Sequence, residues 1–478
     1  MSTLLLENID TLATFDDQRR VLKNAWILVR DNLIEMVGTQ RYEGGLVDQR
    51  LDLSHYVVLP GFINLHHHFF QALLKNIPSL QNVSLFRWLK DMFYLMGEVC
   101  DEDLYYATKI NVAELILSGC TTTVDHNYLP ATAVLQHDTA LQAAKELGIR
   151  YYHARGCNAM GQKDGAMSPD HLVEIETDIM EDTERLIQTY DDPKPGSMLR
   201  IVNAPSAPFS ASPRFYRESI EMARRYGVLN HTHLAQSLED DRFVRNTYGK
   251  KSVLWAQDLG WVGEDVWYAH ATVLDNEEKS IIQSTGTGIC NCPNSNMYTA
   301  AGVCDVTPML KAGGFNIGIG VDGSAANNSS NMLHEVRNAL LMQRTFFGAD
   351  AIAPTQALEL ATLGGAKILQ RGDLGVLAPG KTADIIGIDF QKLPLAGGIH
   401  DPIAGLVLCD VDHVDLSIIN GKIRVAKGEL INVDLPALIQ RSNELSIALA
   451  QRAEKRYNVS LTPLVWRRAY PYDGTNFK

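Results

Sequence analysis

Two textures of apolar and polar positions divide the chain. Near both ends, short alternating runs are bounded by Gly, Asn and Asp, as expected of half-buried strands joined by turns. At the N-terminus these runs are Thr3–Asn8, Ala25–Arg30, Leu33–Gly38 and Tyr56–Leu59. The texture returns in Asp384–Asp389, Val414–Gly421 and Ile423–Ala426, so the two ends are expected to build one small β-sandwich together. Between them, apolar and β-branched runs alternate with helical stretches, the signature of parallel βαβ units. Eight such runs lie near Val57, Thr121, Arg150, Leu199, Val228, Val266, Gly286 and Phe315. Eight units over ~300 residues fit an α/β fold of the (β/α)8 TIM-like barrel type, whose active sites lie at the C-terminal strand ends. Thr355–Gln370 and Leu435–Tyr457 read as helices after the last strand. The expected division is 1–58 and 371–432 for the two parts of the sandwich, 59–370 for the barrel, and 433–478 for a terminal helix and tail.

Composition narrows the function. With 478 residues, 46% of them hydrophobic, the chain can bury an extensive core. Its net charge of −13, from 43 basic and 56 acidic residues, argues against a nucleic-acid partner, and no basic stripe reopens that question. Seven scattered cysteines do not form a disulfide framework, and Cys290-Asn-Cys292 lacks the second pair a zinc ribbon needs. The N-terminus has no secretory signal pattern, and no run of ~18 apolar residues appears later, so no membrane is expected and the cytoplasm is the default location.

Histidines then carry the chemistry. His66, His67 and His68 follow Pro60-Gly-Phe-Ile-Asn-Leu, His231 and His233 sit in Asn-His-Thr-His-Leu, His270 in Trp-Tyr-Ala-His-Ala, and Asp322 in Gly-Val-Asp-Gly-Ser. Each group falls where an apolar run ends. Side chains alternate faces along a strand, so His66 and His68 project together while His67 points away. Two imidazoles on one face can grip one ion, and one of His231 and His233 joins them by the same spacing. Neutral imidazoles with a carboxylate suit zinc, or alternatively ferrous iron, with a position left for water. A single such histidine would more simply be a satisfied core residue; the recurrence at four strand ends with Asp322 favours a metal.

These motifs, together with Leu377-Ala-Pro-Gly-Lys-Thr-Ala-Asp-Ile-Ile, resemble the amidohydrolase superfamily over essentially the whole chain. His66-His-His-Phe-Phe-Gln, Thr121-Thr-Thr-Val-Asp-His-Asn-Tyr and Val321-Asp-Gly-Ser-Ala-Ala-Asn-Asn-Ser-Ser-Asn look like the branch of 8-oxoguanine deaminase, isoxanthopterin deaminase and hydroxyatrazine ethylaminohydrolase. The resemblance implies one metal, held by His66, His68, His233 and Asp322. It implies that Asp322 is also the general base for an attacking water, with His270 hydrogen-bonding that water or the developing oxygen. It implies that Gln71 sits beside a small heterocyclic substrate and pairs with an amide edge. Tyr128 and Arg155, which follow the second and third strands, are further pocket candidates, with a structural ion pair the alternative for Arg155. His126 is either a partner of a ligand or a core residue. Related enzymes are usually dimers or larger, which implies a homo-oligomer. Leu85–Met96 is an apolar segment that either caps the pocket or forms a subunit contact.

Two positions depart from the family pattern. After the fifth strand it reads His-x-His-x-x-Glu, and here the last position is Gln236, whose amide cannot deliver a proton to a leaving amine. Either the chemistry runs through Asp322 and His270 alone, or the chain is a disabled glutamate-to-glutamine variant, or Glu239 substitutes from the adjacent loop. Asn291 stands where relatives often carry histidine before Cys-Pro. The leading expectation is a deaminase of oxopurines, pterins or hydroxytriazines. The alternatives are a hydrolase of acyclic guanidine-like compounds, a dechlorinating triazine hydrolase, and a non-catalytic scaffold.

Overall fold

The structure is a computed structural model that describes residues 2–131 and 136–462. The tail expected after the terminal helix lies, from residue 463, outside the described residues. Eight parallel strands stand in sequence order: Phe62–Asn64, Cys120–Asn127, Arg150–Arg155, Leu199–Asn203, Leu229–Leu234, Val266–His270, Gly288–Asn291 and Asn316–Ile319. The first and last are brought together where the Leu65 N–H donates to the Ile319 carbonyl at 3.0 Å and the Asp322 N–H to the His66 carbonyl at 3.0 Å. The lower interior is filled by Ile63, Leu65, Val124, Tyr152, Val202 and Trp267, so the barrel is a packed core with its site at one mouth.

Both chain ends contribute to a second, nine-stranded sheet. Thr3–Ala13 pairs antiparallel with Val21–Arg30, and Tyr56–Pro60 pairs antiparallel with Ile385–Asp389, tying the N-terminal strands to the C-terminal ones. Leu4, Leu6, Ile27, Val29, Val58, Ile385 and Ile418 form its own core. Arg150 and Asp384, both buried, form an ion pair between barrel and sheet.

One strand corrects the sequence reading. The apolar run near Val57, which the sequence offers both as the end-sheet run Tyr56–Leu59 and as the first barrel strand, belongs to the end sheet alone; the barrel begins at Phe62. Gly61 makes the switch, donating its N–H to the Asp384 carbonyl at 3.0 Å, and a Cβ there would lie 2.2 Å from Thr121 Cγ2. The helix expected over Thr355–Gln370 is α-helical at Pro354–Glu359 and Gly365–Ile368, with a π-turn at Leu360–Gly364 between them. Leu435–Tyr457 is helical throughout. Among the described residues, no helix is long and apolar enough to cross a membrane.

Candidate active site

His66 and His68 lie just beyond the first barrel strand, on an extended segment outside the sheet. Their faces alternate all the same. His66 Nε2 and His68 Nε2 come within 3.4 and 3.3 Å of Asp322 Oδ1, while His67 Nε2 pairs with Ser330 Oγ at 2.9 Å. His233 enters from the fifth strand, its Nε2 3.2 Å from that of His68. Ligand atoms of His66, His68, His233 and Asp322 all lie within 4.8 Å of one another.

Proton placement shows what this cluster can hold. His68 Nδ1 is 2.6 Å from the His126 carbonyl oxygen, and His233 Nδ1 is 2.6 Å from that of Ser206. A carbonyl only accepts, so each neutral ring carries its proton on Nδ1 and presents a bare lone pair at Nε2. Two lone pairs thus face each other at 3.2 Å beside a carboxylate, and His66 Nε2 is buried there without a hydrogen-bond partner. Acceptors gathered with no donor among them repel unless a cation lies between them. Burial keeps the His66 and His233 rings neutral, lowering the pKa of His66 well below its ordinary value and that of His233 to about 3. The Gly323 N–H, at 2.6 Å, and the Ser295 hydroxyl donate to Asp322 and stabilise its anion. This donor set fits one divalent metal ion.

His270 completes the mouth. Its Nδ1 pairs with Asn296 Oδ1 at 2.9 Å, and its Nε2 stands 3.7 Å from Asp322 Oδ2 with no hydrogen-bond partner. Ala235, His270 and Asp322 all have left-handed backbones, φ 51, 74 and 62°, at or within three residues of the ends of strands five, six and eight. Such conformations cost ~1–3 kcal/mol each, and here they turn the chain sharply so that the preceding strands deliver their side chains to one point.

Above the cluster lies a cavity. Leu85, Trp88, Leu89 and Phe93 line it from helix Leu85–Met96, so that segment's apolar face caps the pocket. Gln71, Tyr128, Asn158 and Gln236 also line it. The Gln71 amide is fixed: Nε2–H donates to the Tyr128 hydroxyl at 3.2 Å and Oε1 accepts from the Ala325 N–H at 3.2 Å. Gln71 therefore has one N–H left rather than a whole amide edge. Burial pushes the Tyr128 hydroxyl pKa up, so it stays protonated and can donate its own hydrogen. Gly323 leaves room for this amide: a Cβ there would lie 1.9 Å from Gln71 Oε1 and would force the Gln71 side chain to shift.

Other expected residues fall elsewhere. Arg155 does not line the cavity; it is buried in ion pairs with Glu174 at 2.6 Å and Asp182 at 2.9 Å and ties the third strand to the following loop and helix. His126 serves the site through its backbone carbonyl, while its ring donates to the Ala204 carbonyl at 2.9 Å. Asn291 is buried outside the cavity lining, its side-chain amide without a partner. Glu239 does not replace the missing glutamate. It accepts from Ser84 Oγ at 3.1 Å and the Phe86 N–H at 3.2 Å, capping the lid helix. Asp240 is likewise turned away, toward the Gln236 N–H at 3.0 Å. Asp322 is thus the only carboxylate lining the cavity among the described residues. Sequence reasoning missed Ser295 and Asn296, whose one available signal was the polar Asn-Ser-Asn run after Cys292-Pro293.

Comparison with known proteins agrees with this geometry. The model of the amidohydrolase family matches residues 57–424. The 8-oxoguanine deaminase of Pseudomonas aeruginosa is 40% identical over 425 residues, 88% of this chain and 94% of that protein. The hydroxydechloroatrazine ethylaminohydrolase of Pseudomonas sp. strain ADP is 35% identical over 453 residues, 91% of this chain and 93% of the relative. Among solved structures, a glutamate-to-glutamine mutant of atrazine chlorohydrolase from Arthrobacter aurescens TC1, complexed with zinc and atraton, superposes with a TM-score of 0.88 at 29% identity, covering 93% of this chain and all of the other. The chain belongs to the amidohydrolase family.

Proposed function

We propose that this protein is a metal-dependent hydrolase that releases ammonia or an amine from a small, planar, nitrogen-rich heterocycle: an oxopurine, a pterin or a hydroxylated triazine. The observation that carries this reading is the cluster of bare Nε2 lone pairs and one carboxylate beneath a lidded cavity with a single acidic group. His66, His68, His233 and Asp322 would hold the metal, and zinc suits this nitrogen-rich set, with iron second. Bound there, such an ion supplies Lewis acidity and brings the pKa of a coordinated water toward ~7.

The chain's own residues supply the rest. Asp322 takes a proton from the attacking water, and His270 Nε2 accepts a hydrogen bond from the same water. Tyr128 and the remaining Gln71 N–H donate to acceptors on the ring, fixing which carbon is attacked. The lid excludes bulk water and strengthens these contacts. Asp322 then returns its proton to the departing amine, because Gln236 can hydrogen-bond that group but not protonate it. One water is consumed; a carbonyl heterocycle and an amine are formed. The same lack of a second acid supports a second reading, a triazine whose leaving group departs as halide and needs no proton.

The test is ammonia, amine and halide release from a panel of oxopurines, pterins, aminotriazines and chlorotriazines. Release from at least one class is expected, falling to background after chelation and returning with zinc. Metal-replete protein that turns over none of them would sink the reading. The lid offers a finer check. Removing the cap in Glu239→Ala is expected to loosen helix Leu85–Met96 by ~1 kcal/mol, as other lost caps do, and so to raise KM about five-fold with kcat nearly unchanged. Unaltered kinetics would show that closure does not depend on this contact.

A further inference from the structure

The three histidines of the metal cluster are not held alike. His68 and His233 give their Nδ1 protons to backbone carbonyls, which no substitution removes. His66 has no such carbonyl. Its Nδ1 lies 2.8 Å from His231 Nε2, a side-chain partner. Which ring donates follows from the next link: His231 Nδ1 is 3.1 Å from the Trp267 carbonyl oxygen, so that nitrogen carries the proton and His231 Nε2 is an acceptor. His66 must then donate from Nδ1, and its bare Nε2 is left to face Asp322.

Trp267 locks the arrangement. Its indole stacks on His231 with centroids 4.5 Å apart at 15°, and its Nε1–H donates to the carbonyl of Leu65, the residue before His66, at 3.2 Å. Backbone and ring of the ligand are therefore both tied to the fifth and sixth strands. His126 lies on the same side, its ring centroid 5.8 Å from that of His66 and 5.0 Å from that of His231. It spends Nε2–H on Ala204, so it offers His66 no competing donor. Every one of these rings is fully buried, so no solvent can substitute for a lost partner.

We propose that His231 is a positioning residue that fixes the tautomer and orientation of His66, and thereby sets the affinity of the site for its metal. This gives the first histidine of His231-Thr-His233 a role distinct from ligation: one turn of side-chain alternation below His233, it reaches the underside of another ligand. The inference rests on the metal-site reading above, and the experiment separates the two.

Metal affinity is measured by chelator competition on the intact protein, with zinc and with cobalt, for the wild type, His231→Leu and His231→Gln. The outer partners of metal-bound histidines are typically worth about 10–100-fold in affinity. His231→Leu is expected to lose that much, and His231→Gln, whose carbonyl oxygen can accept from His66 Nδ1–H, to recover most of it. The cobalt absorption bands are expected to shift in the leucine variant and return in the glutamine one, which general loosening of the barrel would not produce. A folded His231→Leu with wild-type affinity overturns the inference. A wild type that binds no metal overturns it together with the reading on which it rests. Should His231→Leu fail to fold, ¹⁵N-histidine spectra of the wild type decide: a coupling across the hydrogen bond with the proton on His66 Nδ1 supports the assignment, and a proton on His231 Nε2 overturns it.

Discussion

Asp322→Asn is expected to lower kcat by about 10⁴-fold, the upper end of what a general acid–base group contributes. The size follows from two roles carried by one side chain. Its carboxylate lies within 3.4 Å of two imidazole nitrogens and is the only acid lining the cavity among the described residues, so no second carboxylate there can take the water's proton in its place. Asparagine keeps the shape and one acceptor oxygen, which should preserve the contacts from Ser295 and Gly323 and hence the fold. About 10⁴-fold corresponds to roughly 5.5 kcal/mol of barrier. Metal content must be measured beside kcat, because a neutral ligand also weakens the site. A variant that stays metal-loaded and retains more than about a tenth of the activity would show that His270 or solvent is the base, since an acid–base group of ordinary worth contributes at least ~10².

Much of this site could be read from the chain, for reasons that differ by residue. His66 and His68 were placed on one face by spacing alone, and the face is right even though the segment is not a sheet strand; extended backbone alternates its side chains whether or not it is paired. The barrel's first strand is ambiguous in the sequence for a related reason, the run at Tyr56–Leu59 fitting either sheet. Val57 to Leu65 is almost continuously apolar, and the break at Pro60–Gly61 owes its meaning to Asp384 and Thr121, far away in sequence. Arg155 shows the same limit from the other side. Its position after a strand suggested the pocket, but its partners Glu174 and Asp182 come from the following loop and helix, and no local pattern announces them. For Leu85–Met96 the apolar character is legible, with cap and subunit contact as alternatives; that it covers this cavity, and that Glu239 caps it, depends on contacts with residues after strand five. Types and periods were legible, whereas partners between distant segments were not.

The partner question bears most on Gln236. It lines the cavity, and neither Glu239 nor Asp240 is free to act for it, so the chain presents one acid where the family pattern has two. If chemistry is limited by protonation of the leaving group, Gln236→Glu should accelerate release of a basic amine by about 10²-fold, the lower end of the acid–base range, because the new carboxyl must compete with Asp322 for the proton. A halide substrate should gain almost nothing, since its leaving group departs without a proton. The two readings of the substrate therefore separate in one comparison. Faster amine release with unchanged halide release would mean that glutamine throttles a deaminase whose other parts are intact. No gain on any amine, in a variant that folds and keeps its metal, would mean that Asp322 already supplies the proton fast enough and that glutamine at this position belongs to the native mechanism.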